Sequence, residues 1–361
     1  MYSICGQFLH SLLNIAHLAS SGKVRVGSPR GAASGRLDGH SARVGDEPKE
    51  RVKVTAYVSH EDASRHDTGW KHPDHQGRLP AITRAVYRDM VALWEPLLQV
   101  QGGHATEEEL RRVHTQRYID DVRRTAIAAA AEGRPLELGG VPVSGASWDA
   151  ALASVGSALV AAEVVLRGEA RNAFVPARPP GRGALPDEPG EFSLFNTVAI
   201  AARHLRGARA SARVLVVAWG ARPADAIRAC VAGDPGIRVV SIHQRQEGAA
   251  EPHPRDAALP AASAGAELGR EMRRLLDSVP AEDSPDFVLL SAGFDILAGD
   301  PQGALAVTPR EVYDLTLALR EWADDRCGGR LVSVLEGGYE QGATAQAVVQ
   351  HLRALAGLPA A

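Results

Sequence analysis

Cysteine is scarce in this chain: Cys5, Cys230 and Cys327 are the only three in 361 residues, and none forms a CxxC pair. Neither a disulfide framework nor a thiolate zinc site is indicated, and a reducing, cytoplasmic setting is expected. A basic surplus is missing too, since 40 Lys and Arg stand against 43 Asp and Glu for a formal charge of -3. Nothing is left over to neutralise phosphates, so no nucleic-acid partner is expected. No run of 18 uninterrupted apolar residues occurs, which argues against a membrane span. The opening MYSICGQFLHSLLNIAHLA has no basic first stretch and is interrupted by Gln7, His10 and Asn14, which argues against a secretory leader. GxSxG, P-loop and GxGxxG elements are absent as well, so no second chemistry offers itself.

What is present is a 45% apolar composition, enough to bury a large core. Residues 1–50 are rich in Gly, Ser and Arg from about residue 20 and show no helical or strand period; they read as a disordered or non-native extension. The folded domain is expected over 51–361. Within it, VKVTAYV, NAFVPA, RVLVVAW, RVVSIH, DFVLLSAG and RLVSVLEGG read as strands. They alternate with the helical patterns ITRAVYRDMVALWEPLL, WDAALASVGSALVAAEVVL, NTVAIAARHL, AELGREMRRLL and VYDLTLALREWADD. The fold class is α/β: one domain with a mostly parallel, multi-stranded sheet and helices on both faces. Four polar or glycine-rich loops follow strand ends, ARPPGRGA, GARPAD, GFDILAGDPQG and GGYEQG, and they are expected to converge on one pocket.

Those loops carry a resemblance. SAGFDILAGDP (291–301), LEGGYE (335–340), ARPPG (177–181) and SLFNTVAIAA (193–202) are similar to signature segments of the histone deacetylase-like amidohydrolases. Upstream, HDTGWKHPDHQGRLPAI (66–82) and LRRVHTQRYIDDV (110–122) resemble further segments of that family, in the same order. The likeness runs from about residue 53 to 356. It implies an arginase/deacetylase-type fold, with acetoin-utilisation and acetylpolyamine amidohydrolases among the relatives.

The resemblance also implies a zinc ion on two aspartates and a histidine, a histidine pair for acid and base, and an oxyanion-stabilising tyrosine. Several of these positions differ here. The histidine pair falls on Arg182 and Gly183, and two of the three ligand positions fall on Gly220 and Arg222. Ala218 stands where a carboxylate would help hold a structural potassium ion. Asp300 remains at the third ligand position, Tyr339 at the oxyanion position, and Asp295 in the GFD turn. One carboxylate cannot hold zinc against water, and a guanidinium cannot ligate. No zinc or other cofactor is therefore expected. A buried Asp300 without zinc needs a positive partner, and an ion pair with Arg222 or Arg182 is expected to supply it.

Other readings stay open at single residues. His66, His72 and His75 suit loop packing or the surface better than a new metal site, and His243 reads as a hydrogen-bonded structural histidine. Tyr339 is either a functional hydroxyl or a packed remnant. Gly337 and Gly338 serve a tight turn, and Asp295 and Asp300 are alternatively braces for backbone N–H groups. The segment between His243 and Asp286 is short for the family, leaving one wall of the substrate tunnel reduced. Together these features imply a pseudoenzyme whose pocket takes an anionic or acetylated small ligand, or which binds a protein partner. The alternative is an active amidohydrolase on acetyl-lysine, acetylpolyamine or a related amide.

Overall fold

The continuous apolar runs become strands whose successive side chains feed two separate cores. The computed structural model describes residues 54–209, 212–248 and 251–361; the expected extension 1–50 and the expected domain start at Arg51 lie outside these residues. The main sheet comprises β1 (Thr55–Ser59), β2 (Leu97–Gln101), β3 (Asn172–Val175), β4 (Val214–Gly220), β5 (Ile237–Gln244), β6 (Asp256–Leu259), β7 (Phe287–Ala292) and β8 (Leu331–Leu335). Their order across the sheet is β2-β1-β3-β8-β7-β4-β5-β6, and every pairing is parallel.

In β4, Val214, Val216 and Ala218 enter one core while Leu215, Val217 and Trp219 enter the other. β7 repeats the division, with Phe287 and Leu289 on one side and Val288, Leu290 and Ala292 on the other. A strand buried on both faces has no polar side to show, which is why the sequence pattern is continuous rather than alternating.

Helices α1 (Arg78–Arg88), α2 (Gln116–Glu132), α3 (Ser147–Leu166), α4 (Thr197–Ala208), α5 (Gly265–Asp277), α6 (Pro309–Cys327) and α7 (Gln341–Ala356) cover these faces. Tyr118 and Val122 of α2 and Val198 and Leu205 of α4 join α3 over the first core; Ile82, Leu268, Leu319 and Leu352 close the second. Their ends follow local chemistry. Thr308 and Glu311 form a capping box at the start of α6, with Pro309 in the first turn, and Gly328 ends the helix at φ 66.

One sequence expectation changes. The helical pattern over 82–98 breaks at Asp89, and Leu97–Gln101 forms the edge strand β2, because Pro96 cannot continue a helix. In addition, α3 is long and apolar enough to cross a membrane by length and composition, with mean hydropathy 1.7, although charged Asp149 and Glu163 interrupt its sequence. It is a core helix here: 72% of that apolar window is buried, and its many Ala, Ser and Gly residues let it lie close against β1 and β3.

Candidate functional site

β3, β8, β7 and β4 are neighbours at the centre of the sheet, so the loops leaving their carboxyl ends meet. They form a cleft of about 160 Å³ lined by Pro180, Arg182, Glu191, Phe192, Arg222, Asp295, Gln302 and Tyr339. That is small for a cofactor and of a size for a short polar group.

A buried charge network ties three of the walls. Asp74 Oδ1 accepts from Arg78 Nη1 at 2.6 Å and from Arg178 Nε at 3.1 Å. Arg78 also donates to the carbonyls of Gly338 and Glu336, both at 2.7 Å. Burial opposes ionisation of Asp74, but Arg178, Arg78 and His66 outweigh it and hold the carboxyl down to about 2. The Arg78 guanidinium then lies 4.7 Å from the centre of the Tyr339 ring, and that ring stands perpendicular to Phe192 with centres 5.5 Å apart. Burial raises the Tyr339 hydroxyl well above the ordinary phenol range, so it stays protonated.

Arg182 is only 5% exposed. Its main-chain N–H and that of Gly181 both donate to Glu336 Oε2, at 3.0 and 2.7 Å. Its Nη2 donates to the carbonyl of Arg222, and its Nη1 lies 3.8 Å from Asp295 Oδ2 with no hydrogen-bond partner. A Cβ placed on Gly220 would overlap this guanidinium, and one on Gly293 would crowd it at 2.8 Å. Gly183 is equally closed in, since a Cβ there would overlap the carbonyl of Gly190 and the Glu191 side chain.

The expected ion pair with Asp300 does not form. Asp300 accepts backbone N–H bonds from Tyr339 at 2.6 Å, Gln302 at 2.9 Å and Glu340 at 3.2 Å, and makes no ion pair among the described residues. Burial raises its pKa, the amides of Tyr339 and Gln302 oppose this, and Asp295 adds repulsion. Arg182 turns to Asp295 instead, because the space over Gly220 and Gly293 is beside that carboxylate. Arg222 is half exposed, 3.9 Å from Glu191 Oε1. Gly337 and Gly338 close over the site: a Cβ on Gly337 would press on the Asp295 carboxylate at 2.5 Å, and Gly338 sits at φ 116.

The histidines take the packing roles expected of them. His66 is buried with Nδ1 2.7 Å from Ser147 Oγ, and the His72 and Phe192 ring centres lie 4.5 Å apart in a T-shaped contact. His75 lies 2.6 Å from Gln341 Nε2, and His243 pairs with Ser241 Oγ at 3.3 Å. Two features escaped the sequence reading. Glu336 is fully buried, and burial pushes its carboxyl up to about 7 against the pull of the Gly181 and Arg182 amides. Glu191 and Phe192 hold left-handed φ values of 48 and 67 in the cleft wall, a conformation that non-glycine residues adopt mostly where surroundings enforce it.

The cleft thus offers two guanidinium groups, a phenol and the carboxyls of Glu191 and Asp295, and among the described residues neither imidazole nor thiolate lines it. Residues 72–355 match the histone deacetylase domain family. Human "Polyamine deacetylase HDAC10" is 30% identical over 328 residues, covering 85% of this chain and 48% of that protein. The chain therefore spans about half the length of that relative. A "Probable deacetylase" of Archaeoglobus fulgidus is 28% identical over 299 residues, covering 79% of this chain and 81% of the other. The crystal structure of the HDA15 HD domain superposes with a TM-score of 0.75 at 25% identity, covering 85% of this chain and 89% of that one.

Proposed function

Because the chain belongs to the histone deacetylase family, we propose that it is a catalytically inactive member of it, whose cleft holds a small anionic or acetylated group without hydrolysing it. The observation that carries this reading is the guanidinium of Arg182 in the space over Gly220. The resemblance asks for a zinc ion on side chains at 220, 222 and 300. Gly220 has no donor, Arg222 carries a fixed positive charge, and Asp300 is already committed to three amides. The residues do not fit the metal. A permanent cation beside Asp295 further disfavours a second cation at the same place.

Binding chemistry remains. Arg182 Nη1 is a buried donor without a hydrogen-bond partner, and an acceptor oxygen entering the cleft would satisfy it. A carboxylate or an acetyl carbonyl has that oxygen, and Tyr339 and Phe192 supply the flanking rings.

The test is hydrolysis of an acetyl-lysine peptide and of N-acetylated polyamines, the second substrate class taken from the human relative's name, with and without added zinc. No turnover in any of the four conditions is expected. Zinc-dependent turnover would overturn the reading in favour of an active amidohydrolase. A titration with N-acetyl-lysine, repeated on Arg182→Ala, separates a binding cleft from an inert one.

A further inference from the structure

Outside the residues that line the cleft, two histidines and an aspartate converge at one edge of the sheet. His60 follows β1 directly and His104 follows β2 by three residues; the two strands pair in parallel with Ser59 opposite Gln101. Both residues therefore project from the carboxyl edge of neighbouring strands, where α/β sheets gather ligands. Their ring centres lie 4.5 Å apart at 43°, and the Asp62 carboxylate lies near both. Asp62 Oδ2 is 2.9 Å from His104 Nε2 and 3.7 Å from His60 Nδ1, while its Oδ1 is occupied by Arg65 at 2.8 Å. Among the described residues this is the one group of three His, Cys, Asp or Glu donors within 4.8 Å of one another.

We propose that His60, Asp62 and His104 form a binding site for a divalent first-row transition ion, zinc by preference. Two imidazoles and one carboxylate are a donor set suited to that class, and three protein ligands leave a fourth position for water or a small ligand. A tetrahedral ion with bonds of about 2 Å brings its donors to about 3.4 Å apart, so small rotations close the present cluster. His60 Nδ1 accepts the Asp62 N–H at 3.2 Å and lies 3.7 Å from Asp62 Oδ2, so an ion bound at that nitrogen takes over its single in-plane lone pair and releases the Asp62 amide.

The scaffold is rigid. Gly102 N–H donates to Ser59 O at 2.8 Å, and Ala105 N–H to Leu152 O of α3 at 2.9 Å. The loop between passes so close to α3 that a Cβ on Gly102 would overlap Ser157, and one on Gly156 would overlap the carbonyl of Gly103. The side chains of His60 and Asp62 are 16% and 14% exposed, while that of His104 is 41% exposed, leaving an approach from solvent.

Titration of the untagged full chain with zinc, and with cobalt read by its visible absorption, tests the site. One equivalent is expected to bind with micromolar or tighter affinity, falling at least about 100-fold in His104→Ala and in His60→Asn. His60→Asn keeps a cap acceptor for the Asp62 amide, so loss of binding there does not reduce to loss of the turn. Zinc binding absent below about 1 mM, or equal in wild type and both variants, would overturn the site. Binding lost in Asp300→Asn but kept in His104→Ala would place the ion in the central cleft, and would overturn both this site and the inactive reading.

Discussion

The guanidinium of Arg182 occupies the space that any side chain on Gly220 would need. The two residues are 38 positions apart and are coupled by volume alone. Gly220→Ala is therefore expected to lower stability by about 1–3 kcal/mol through overpacking. In an Arg182→Ala background the same change is expected to cost less than about 1 kcal/mol. A double-mutant cycle by chemical denaturation reads the difference, and additive effects would refute the coupling.

Among the described residues, Asp74 is the only carboxylate bonded to both Arg78 and Arg178 in their buried network. Asp74→Asn removes the shared negative charge and leaves two buried guanidinium groups with neutral acceptors alone, the amide and the carbonyls of His66, Asp74, Glu336 and Gly338, and a loss of about 3–5 kcal/mol is expected. Urea unfolding at neutral pH measures it; a loss below about 1 kcal/mol would mean that the carbonyls of Gly338 and Glu336 suffice.

Glu336 gives the protein a pH signature. Its carboxyl is pushed from 4.5 up to about 7 by burial, against the Gly181 and Arg182 amides. The folded protein keeps a proton that the unfolded chain releases, so the neutral acid's contribution is complete below pH 4.5 and is lost as pH rises through 7. Glu336→Gln stays neutral and retains an acceptor. Relative to the variant, the wild type is expected to weaken between about pH 5 and pH 8, and parallel stability curves would refute this.

His351 acts in the opposite window. It is fully buried between Thr316 Oγ1 at 2.7 Å and Ser333 Oγ at 2.8 Å, and burial holds its pKa down to about 3. Its contribution is present above pH 6.5 and is lost as pH falls towards 3. His351→Gln is expected to be weaker than wild type by about 1–3 kcal/mol at pH 7, with a shallower decline in acid. Thermal unfolding across pH 4 to pH 7 checks both.

How much of this was legible in the sequence depends on what each residue must satisfy. Leu215 to Trp219 face two cores, so their run is apolar throughout and reads as a strand. Leu98 and Gln99 of β2 are exposed on the sheet edge, and their short pattern merges into the helical period before them. Asp256–Leu259 is too short to show a period at all. The loops over the cleft were legible because glycine and proline mark strand ends.

The direction of a side chain was not. Asp295 and Asp300 are five residues apart, and sequence order does not tell which one Arg182 meets. The turn Phe294–Ile296 brings Asp295 under the guanidinium and sends Asp300 to the amides of Tyr339 and Glu340. The buried carboxyl of Glu336 was hidden for a similar reason: its partners are backbone N–H groups, which have no letter in the sequence.

Glu336 holds residue 182 by its main chain and takes no hydrogen bond from its side chain. Position 182 is in this respect a socket: the loop is fastened before the side chain is chosen, and a different residue can be plugged in without re-laying it. Gly220 opposite is the matching blank, kept empty by what the socket now holds. A protein engineer who wished to change what this cleft recognises would begin with that pair, exchanging both together and leaving the sheet beneath untouched.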